Sequence, residues 1–341
     1  MTSVILLHGD PFARGVGQAR ACPEAAEDVR RVVRSGLAEA PLDSPASRTF
    51  LASQRDWMHR NAPEAMAEIA GIAEGFGLGA DEVFAHLHLN ILADFAAAPA
   101  EAGGCSAFAR HGLVAKNRDV RSEQARLQRL FVHRDPSWGG RSLLCLGSLG
   151  APGAYSSGMN SEGLAVADTQ IPTLDHGPGM LRYVLMTRLL TTCARVAEAL
   201  HVIRALAHAG GGSLVLADAS GAAAAVELRH HRVDVEQAPW VARTNHYLLT
   251  AGDPLPPVTH SAARLAVLRE AVAAGRPPED ILAHQGPGEP LCRPATDPSP
   301  TISGAIWDTG RLAGRIAFGP PASAPWRNVR FADGQWRETR A

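Results

Sequence analysis

Cys105 stands in a setting that none of the other four cysteines (Cys22, Cys145, Cys193, Cys292) shares. Gly103 and Gly104 precede it, and ahead of them runs a stretch of small residues, Ala96–Gly104, with nothing to bury and much freedom to bend. A lone cysteine among apolar residues is most often an inert core residue. Here, however, Gly104 has no side chain to hinder attack on its own carbonyl. A Cys105 thiol that attacked it would cut the peptide bond and leave Cys105 as a new amino terminus. The freed α-amino group, with a pKa of roughly 7.7–8.0, is then a general base beside its own thiol, so that one residue holds both nucleophile and base.

Other chemistries find less support. Gly75, Gly77 and Gly79 follow a helical pattern, whereas a phosphate cradle needs a strand before its glycines. Gly147-Ser148 lacks the residue that a G-x-S-x-G nucleophile elbow needs between them. His86 and His88, two residues apart on a helix, point to different faces, and His230-His231 diverge on a strand. With no H-E-x-x-H and no C-x-x-C pair, neither a metal site nor another cofactor is expected.

The elements that must position Cys105 are readable in outline. Val4–Leu7 reads as a strand closed by the turn His8-Gly9-Asp10-Pro11, and from Pro23 to about Leu92 apolar residues recur at helical spacing. Past Cys105 the period shortens. Two strands are predicted around His111-Gly112, and RSLLCLGSLG and GLAVADT continue in extended runs. A helix over about 181–207, a hairpin turning at Ser220-Gly221, a helix over about 261–274, and final strands TISGAIWD and GRIAFG complete the pattern. Helices first and strands with helices after give an α+β chain.

Composition narrows the classes further. The 341 residues are 46% hydrophobic and carry 33 basic against 34 acidic side chains, a balance with no electrostatic footprint for nucleic acid or a membrane surface. Scattered, odd-numbered cysteines and an opening stretch without a signal-peptide pattern fit a reducing cytoplasm.

Four motifs occur in order: Gly103-Gly104-Cys105-Ser106, Lys116-Asn117-Arg118-Asp119, Gly158-Met159-Asn160-Ser161-Glu162-Gly163-Leu164, and Arg243-Thr244-Asn245-His246. Together they resemble the acyl-CoA:isopenicillin N acyltransferase family of N-terminal nucleophile (Ntn) hydrolases. Penicillin V acylase, bile salt hydrolase and acid ceramidase are more distant relatives. The resemblance implies a four-layer αββα sandwich forming one domain. Residues 1–104 would be a mostly helical chain, cleaved but retained, and residues 105–341 the catalytic chain. It implies Cys105 as nucleophile, freed by a cut after Gly104, with Asp119 holding the new amino group. Asn160 and Asn245 would supply oxyanion N–H donors, although Asn160 before Ser-Glu-Gly also reads as a turn former. An arginine completes related sites, and Arg264 fits better than Arg293.

Lys116 is the one lysine among 33 basic residues, at a position where relatives often place arginine. It would therefore add a positive charge to the site. On a straight strand, however, it shares a face with Arg118 and points away from Asp119 into solvent. The aromatic residue that commonly flanks the aspartate is missing; Arg118 and Val120 stand there. The activity implied is acyl transfer from a linear amide through a Cys105 thioester, with water favoured over a small amine as acceptor and acyl-CoA thioesters as alternative donors. A non-catalytic binding or scaffold protein on the same fold is the rival reading. The partners expected are the small-molecule substrate, the two fragments for each other, and another copy of the chain in a homo-oligomer.

Overall fold

Asp10 ends the opening strand and starts the first helix at once: its Oδ1 accepts the Ala13 N–H at 2.8 Å, and Pro11 takes the first helical position, where a missing N–H costs nothing. The computed structural model describes residues 4–96, 104–250, 255 and 260–339. The small-residue lead-in to Cys105, residues 97–103, lies outside them. After β1 (Ile5–His8) come six helices: α1 (Pro11–Ala21), α2 (Ala26–Glu39), α3 (Pro45–Asn61), α4 (Pro63–Phe76), α5 (Ala80–His86) and α6 (Leu89–Phe95). The expected α+β arrangement, with amino-terminal helices followed by two sheets, is what forms.

The hairpin of β2 (Ser106–Arg110) and β3 (Leu113–Asp119) turns at His111-Gly112, both with positive φ, as a tight two-residue turn requires. Next come β4 (Gln128–Arg134), β5 (Ser142–Ser148), β6 (Ser157–Asn160) and β7 (Leu164–Thr169). The helix expected over 181–207 is two, α7 (Arg182–Thr192) and α8 (Val196–Arg204), because the chain leaves helical geometry at Cys193 and restarts with Glu198 accepting the Ala194 and Arg195 N–H groups. Then follow β8 (Gly212–Asp218), β9 (Ala223–Leu228), β10 (Val233–Gln237), β11 (Trp240–Arg243), α9 (Ser261–Ala273), α10 (Pro278–Leu282), β12 (Thr301–Asp308) and β13 (Ala313–Phe318). A final hairpin, β14 (Trp326–Ala332) with β15 (Gln335–Thr339), extends past the last strand that sequence pattern predicts.

One sheet runs β1-β4-β5-β6-β7-β8-β9-β10 and the other β11-β2-β3-β12-β13-β14-β15. Alternate side chains show what covers each face. In β5, Leu143 and Cys145 join a core shared with Val29, Phe76, Phe84 and Leu185 of the helices, whereas Leu144 and Leu146 pack toward Ala107, Ala109 and Trp307 of the other sheet. In that second sheet Phe108, Ala115 and Ile306 face a third core with Leu265, Leu268 and Leu282 from α9 and α10. Strands buried on both faces read as continuous apolar runs, which is why RSLLCLGSLG shows no polar alternation.

The amino-terminal helices are bound tightly to the strands that follow. β1 pairs in parallel with β4, and Arg14 of α1 ion-pairs with Glu68 of α4 and with Asp135 beyond β4. α1 and α4 cross backbone to backbone through Gly15 and Gly71. A Cβ on Gly71 would lie 2.1 Å from the Phe12 carbonyl oxygen, and one on Gly15 2.4 Å from that of Glu68. Both obstacles are backbone, so the helices must separate to admit a methyl group. Gly71→Ala is therefore expected to cost about 1–3 kcal/mol or more in chemical denaturation. Gly310→Ala, whose Cβ meets nothing closer than 3.8 Å, should stay within about 0.5 kcal/mol of the parent; equal effects would contradict the packing account.

Candidate active site

The order β11-β2-β3-β12 carries the sequence motifs to one end of one sheet. β2 and β3 pair Ser106 with Asn117, so one further step sets Cys105 opposite Arg118. β11 pairs Arg243 with Ala107, and two further steps set Asn245 opposite Cys105. On the far side of β3, Thr301 pairs with Asp119, beside a register shift between Thr301 and Ser303. Bulges of this kind are common next to active sites because they re-aim side chains.

Cys105 is buried, and its backbone N–H donates to Asn245 Oδ1 at 2.9 Å. Arg264, from the first turn of α9, donates through Nη1 to the Cys105 carbonyl at 3.0 Å and to Ser106 Oγ at 3.2 Å, and through Nη2 to Asn245 Oδ1 at 2.8 Å. The Asn245 amide donates to the Gln170 carbonyl at 2.7 Å, and its backbone N–H donates to Ser261 Oγ at 2.8 Å. Two donors on one side and a carbonyl on the other fix which end of the Asn245 amide faces Cys105. It is the oxygen. The expectation that Asn245 aims an N–H at the reacting carbonyl is thus corrected: Asn245 holds the nitrogen of the bond, and its own N–H is spent on Gln170.

Gly104 is gripped by guanidinium groups. A Cβ there would lie 2.8 Å from Arg293 Nη1 and 2.9 Å from Arg264 Nη2. Arg293 is steadied by Asp297, through Nη2 at 2.7 Å and Nε at 3.1 Å. Both arginines therefore flank Gly104, and Arg264 is the one bonded to Cys105.

Asp119 is buried, and its Oδ1 accepts from Thr301 Oγ1 at 2.7 Å while Oδ2 has no partner among the described residues. Burial pushes its pKa up to about 7, against the pull of Arg264, Thr301, Arg293 and Lys116. On the same face Asn117 donates to the Leu282 and Leu291 carbonyls, both at 2.8 Å, and so ties α10 to β3.

Lys116 and Arg118 do share the opposite face, but that face is covered by the other sheet. Lys116 is 3% exposed and ion-paired with Asp168, which also takes Arg182 Nε at 2.9 Å. The solvent-facing alternative is therefore corrected; the ammonium is paired with Asp168, and its positive charge still reaches Asp119. Asn160 is not brought to the site. Its amide donates to the Leu190 and Cys193 carbonyls and its Oδ1 accepts the Glu162 and Leu164 N–H groups, which makes it the turn former that its sequence context also allowed. Thr301, Gln170, Ser261 and the Asp168–Arg182 pair are further groups that the topology supplies.

A family model described as acyl-coenzyme A:6-aminopenicillanic acid acyl-transferase matches residues 108–281. The chain belongs to this family. Among curated proteins none matches it. Among solved structures, a mutant of conjugated bile acid hydrolase from Clostridium perfringens shares 10% identity, with 70% of this chain and 97% of that one covered and a TM-score of 0.45. Penicillin V acylase from Agrobacterium tumefaciens shares 13% identity, with 70% and 98% covered and a TM-score of 0.39. No group of metal-ligating side chains occurs among the described residues, and none of their helices is long and apolar enough to cross a membrane.

Two outcomes follow for the family's site here. Asn245→Ala frees the Cys105 nitrogen and is expected to slow any reaction at Cys105 by about 10²-fold or more, whereas Asn160→Ala should lower the denaturation midpoint and leave the rate per folded molecule near that of the parent. The reverse pattern, read from kinetics and melts of both variants, would contradict the placement. For Asp119 the sign is set by its raised pKa. Between pH about 4 and 7 the folded state keeps a proton that the unfolded state has lost, so ionisation destabilises the fold progressively up to pH 7. In an uncut Cys105→Ala background, the stability advantage of Asp119→Asn over its parent should therefore grow from pH 4 to pH 7.5 in urea melts. A difference independent of pH would show that Asp119 titrates normally.

Proposed function

We propose that this chain is a self-processing Ntn cysteine amidohydrolase that acts on linear amides through a thioester on Cys105, within a four-layer αββα sandwich. The observation that carries the reading is the clamp on a single peptide bond: nitrogen held by Asn245 Oδ1, with Arg264 and Arg293 crowded against Gly104. A backbone amide has no structural need for two guanidinium groups and a buried asparagine. A bond about to gain negative charge on its carbonyl oxygen does.

Maturation then runs as follows. The Cys105 thiol gives up its proton and adds to the Gly104 carbonyl carbon, and the arginines stabilise the resulting oxyanion. The C–N bond breaks as the nitrogen takes a proton, leaving Gly104 as a thioester on sulfur and Cys105 with a free amine. Water adds to the thioester and releases a Gly104 carboxylate and the thiol. Asp119, with a pKa near 7 and an unpartnered Oδ2, suits both halves: it can take a proton during the cut and can then balance the new ammonium group. In turnover the same thiol attacks a substrate amide, the Cys105 amine serves as base and then protonates the leaving amine, and water resolves the acyl thioester.

Hydrolysis is favoured because transfer also requires water to be excluded while an amine waits in place. Acyl transfer from a CoA thioester is the second reading, and the acyl-transferase description of the family supports it. The two part in one experiment. Purified protein is mixed with an N-hexanoyl anilide or with hexanoyl-CoA plus a small amine, quenched in acid and mapped by mass spectrometry. The expected result is a hexanoyl adduct on Cys105 with either donor and release of free hexanoate that added amine does not suppress. Diversion of most product to the amide would favour the transferase. Undiminished turnover by Cys105→Ala would overturn both.

A further inference from the structure

His246 follows directly on Asn245, and its ring is tied to the start of α9: Nδ1 lies 2.7 Å from Ser261 Oγ. Thr244 reaches the same serine. Its Oγ1 donates to the Ser261 carbonyl at 3.0 Å and accepts from Ser261 Oγ, also at 3.0 Å. The Asn245 backbone N–H, past the end of β11, donates to Ser261 Oγ at 2.8 Å. Three consecutive residues thus close on one serine. Thr169, at the end of β7 in the other sheet, steadies the group by donating to the Thr244 carbonyl at 2.6 Å. Counting protons gives the histidine its part. The Ser261 hydroxyl has one hydrogen, which goes to Thr244, and two lone pairs, one of them taken by the Asn245 N–H. The second lone pair is left for an N–H on His246 Nδ1, a tautomer assigned from this network.

Ser261 matters because both arms of the grip on Cys105 hang from it. Asn245, whose Oδ1 takes the Cys105 N–H, is held to it by its backbone. Arg264, whose Nη1 takes the Cys105 carbonyl, stands one helical turn further along. α9 begins without a side-chain cap of its own, after His260 in the left-handed region at φ 65°, so the grip on Ser261 stands in for a cap. The His246 ring supplies its N–H without a charge. Burial and the nearby cations Arg264, Arg243 and Arg269 hold its pKa below the ordinary histidine range, so it stays neutral and does not repel Arg264.

We propose that His246 is a positioning residue for Cys105: through Ser261 Oγ it locks the end of β11 to the start of α9, and so aims Asn245 and Arg264 at the two sides of Cys105. This rests on the amidohydrolase reading for its effect on turnover and on the hydrogen-bond geometry alone for its effect on Cys105. His246 acts through Ser261, so removing either one releases the same contact. A misplacement of well under an ångström at the donors is enough to slow a reaction that depends on their aim.

Two arms test it. In the first, hydrogen exchange is followed at the backbone amides of positions 105 and 245 in uncut Cys105→Ala protein. That background is compared with His246→Leu added, which fills the space without an N–H, and with His246→Asn added, whose Nδ2–H can stand in for Nδ1–H. His246→Leu should speed exchange at both amides by about 10-fold or more while the core amide of Leu144 is unchanged, and His246→Asn should stay near the background. In the second arm, kcat and KM for the N-hexanoyl anilide are measured per cut molecule. His246→Leu should lower kcat about 10- to 100-fold with KM within about 2-fold, and His246→Asn should recover most of the loss. Ser261→Ala should lower kcat as well, and adding His246→Leu to it should cost less than about 2-fold more. Unchanged exchange in His246→Leu, unchanged kcat there, a loss that His246→Asn shares in full, or losses that multiply in the double variant would each overturn the proposal, and the amidohydrolase reading would stand on wild-type turnover. A wild type that turns over no amide, with the exchange result as expected, would do the opposite: the amidohydrolase reading would fall and the positioning of Cys105 by His246 would remain.

Discussion

The hydrogen bond from the Cys105 nitrogen to Asn245 Oδ1 is the contact through which the rest of the fold reaches the proposed nucleophile. Asn245 can hold that nitrogen only because its own amide is turned by Gln170 and its backbone is pinned by Ser261. Ser261 in turn opens the helix that delivers Arg264. Two residues before Asn245, Arg243 is wholly buried and ion-paired with Glu227 at 2.9 Å, and Glu227 also accepts the N–H groups of Leu248 and Leu249. A strand end, a helix start and a buried ion pair thus converge on one oxygen atom. A shift in any of them moves the nitrogen of the Gly104–Cys105 bond.

The strand pair beneath Cys105 divides two jobs between its faces. Toward α9 and α10, Asp119, Arg264 and Arg293 surround the peptide bond, and their charges answer one another. Toward the other sheet, Lys116 and Arg182 share Asp168, and Arg118 is left over. Period-two alternation alone brings about this separation. It also explains how one seven-residue strand, LVAKNRD, can carry four consecutive polar residues in the middle of the molecule. Every one of them has a partner supplied by a different element.

Much of this was legible in the sequence wherever the deciding physics is local. The His111-Gly112 turn, the glycines before Cys105, and the helix that delivers Arg264 each follow from residue type and spacing. Asn160 misled for a local reason as well: an asparagine before Ser-Glu-Gly satisfies a turn and two carbonyls at the end of α7, and the same residue type serves an oxyanion site equally well. Lys116 illustrates the limit of alternation, which gives the face a side chain takes but not what covers that face. A second sheet covers it, so the ammonium is buried rather than in solvent. Thr301, Asp168 and Gln170 lie roughly 50 to 180 residues from the motif they serve, and no pattern along the chain announces them.

The central claim is that the clamp around Gly104 and Cys105 exists to cut the bond between them. The intact mass of freshly purified wild-type protein, followed by amino-terminal sequencing, addresses it most directly. The account predicts two associated pieces, the first 104 residues and the remaining 237, with the larger beginning Cys-Ser-Ala-Phe, and a single uncut chain for Cys105→Ala. An uncut wild-type chain that nonetheless turns over amides, or a cut that persists in Cys105→Ala, would contradict it.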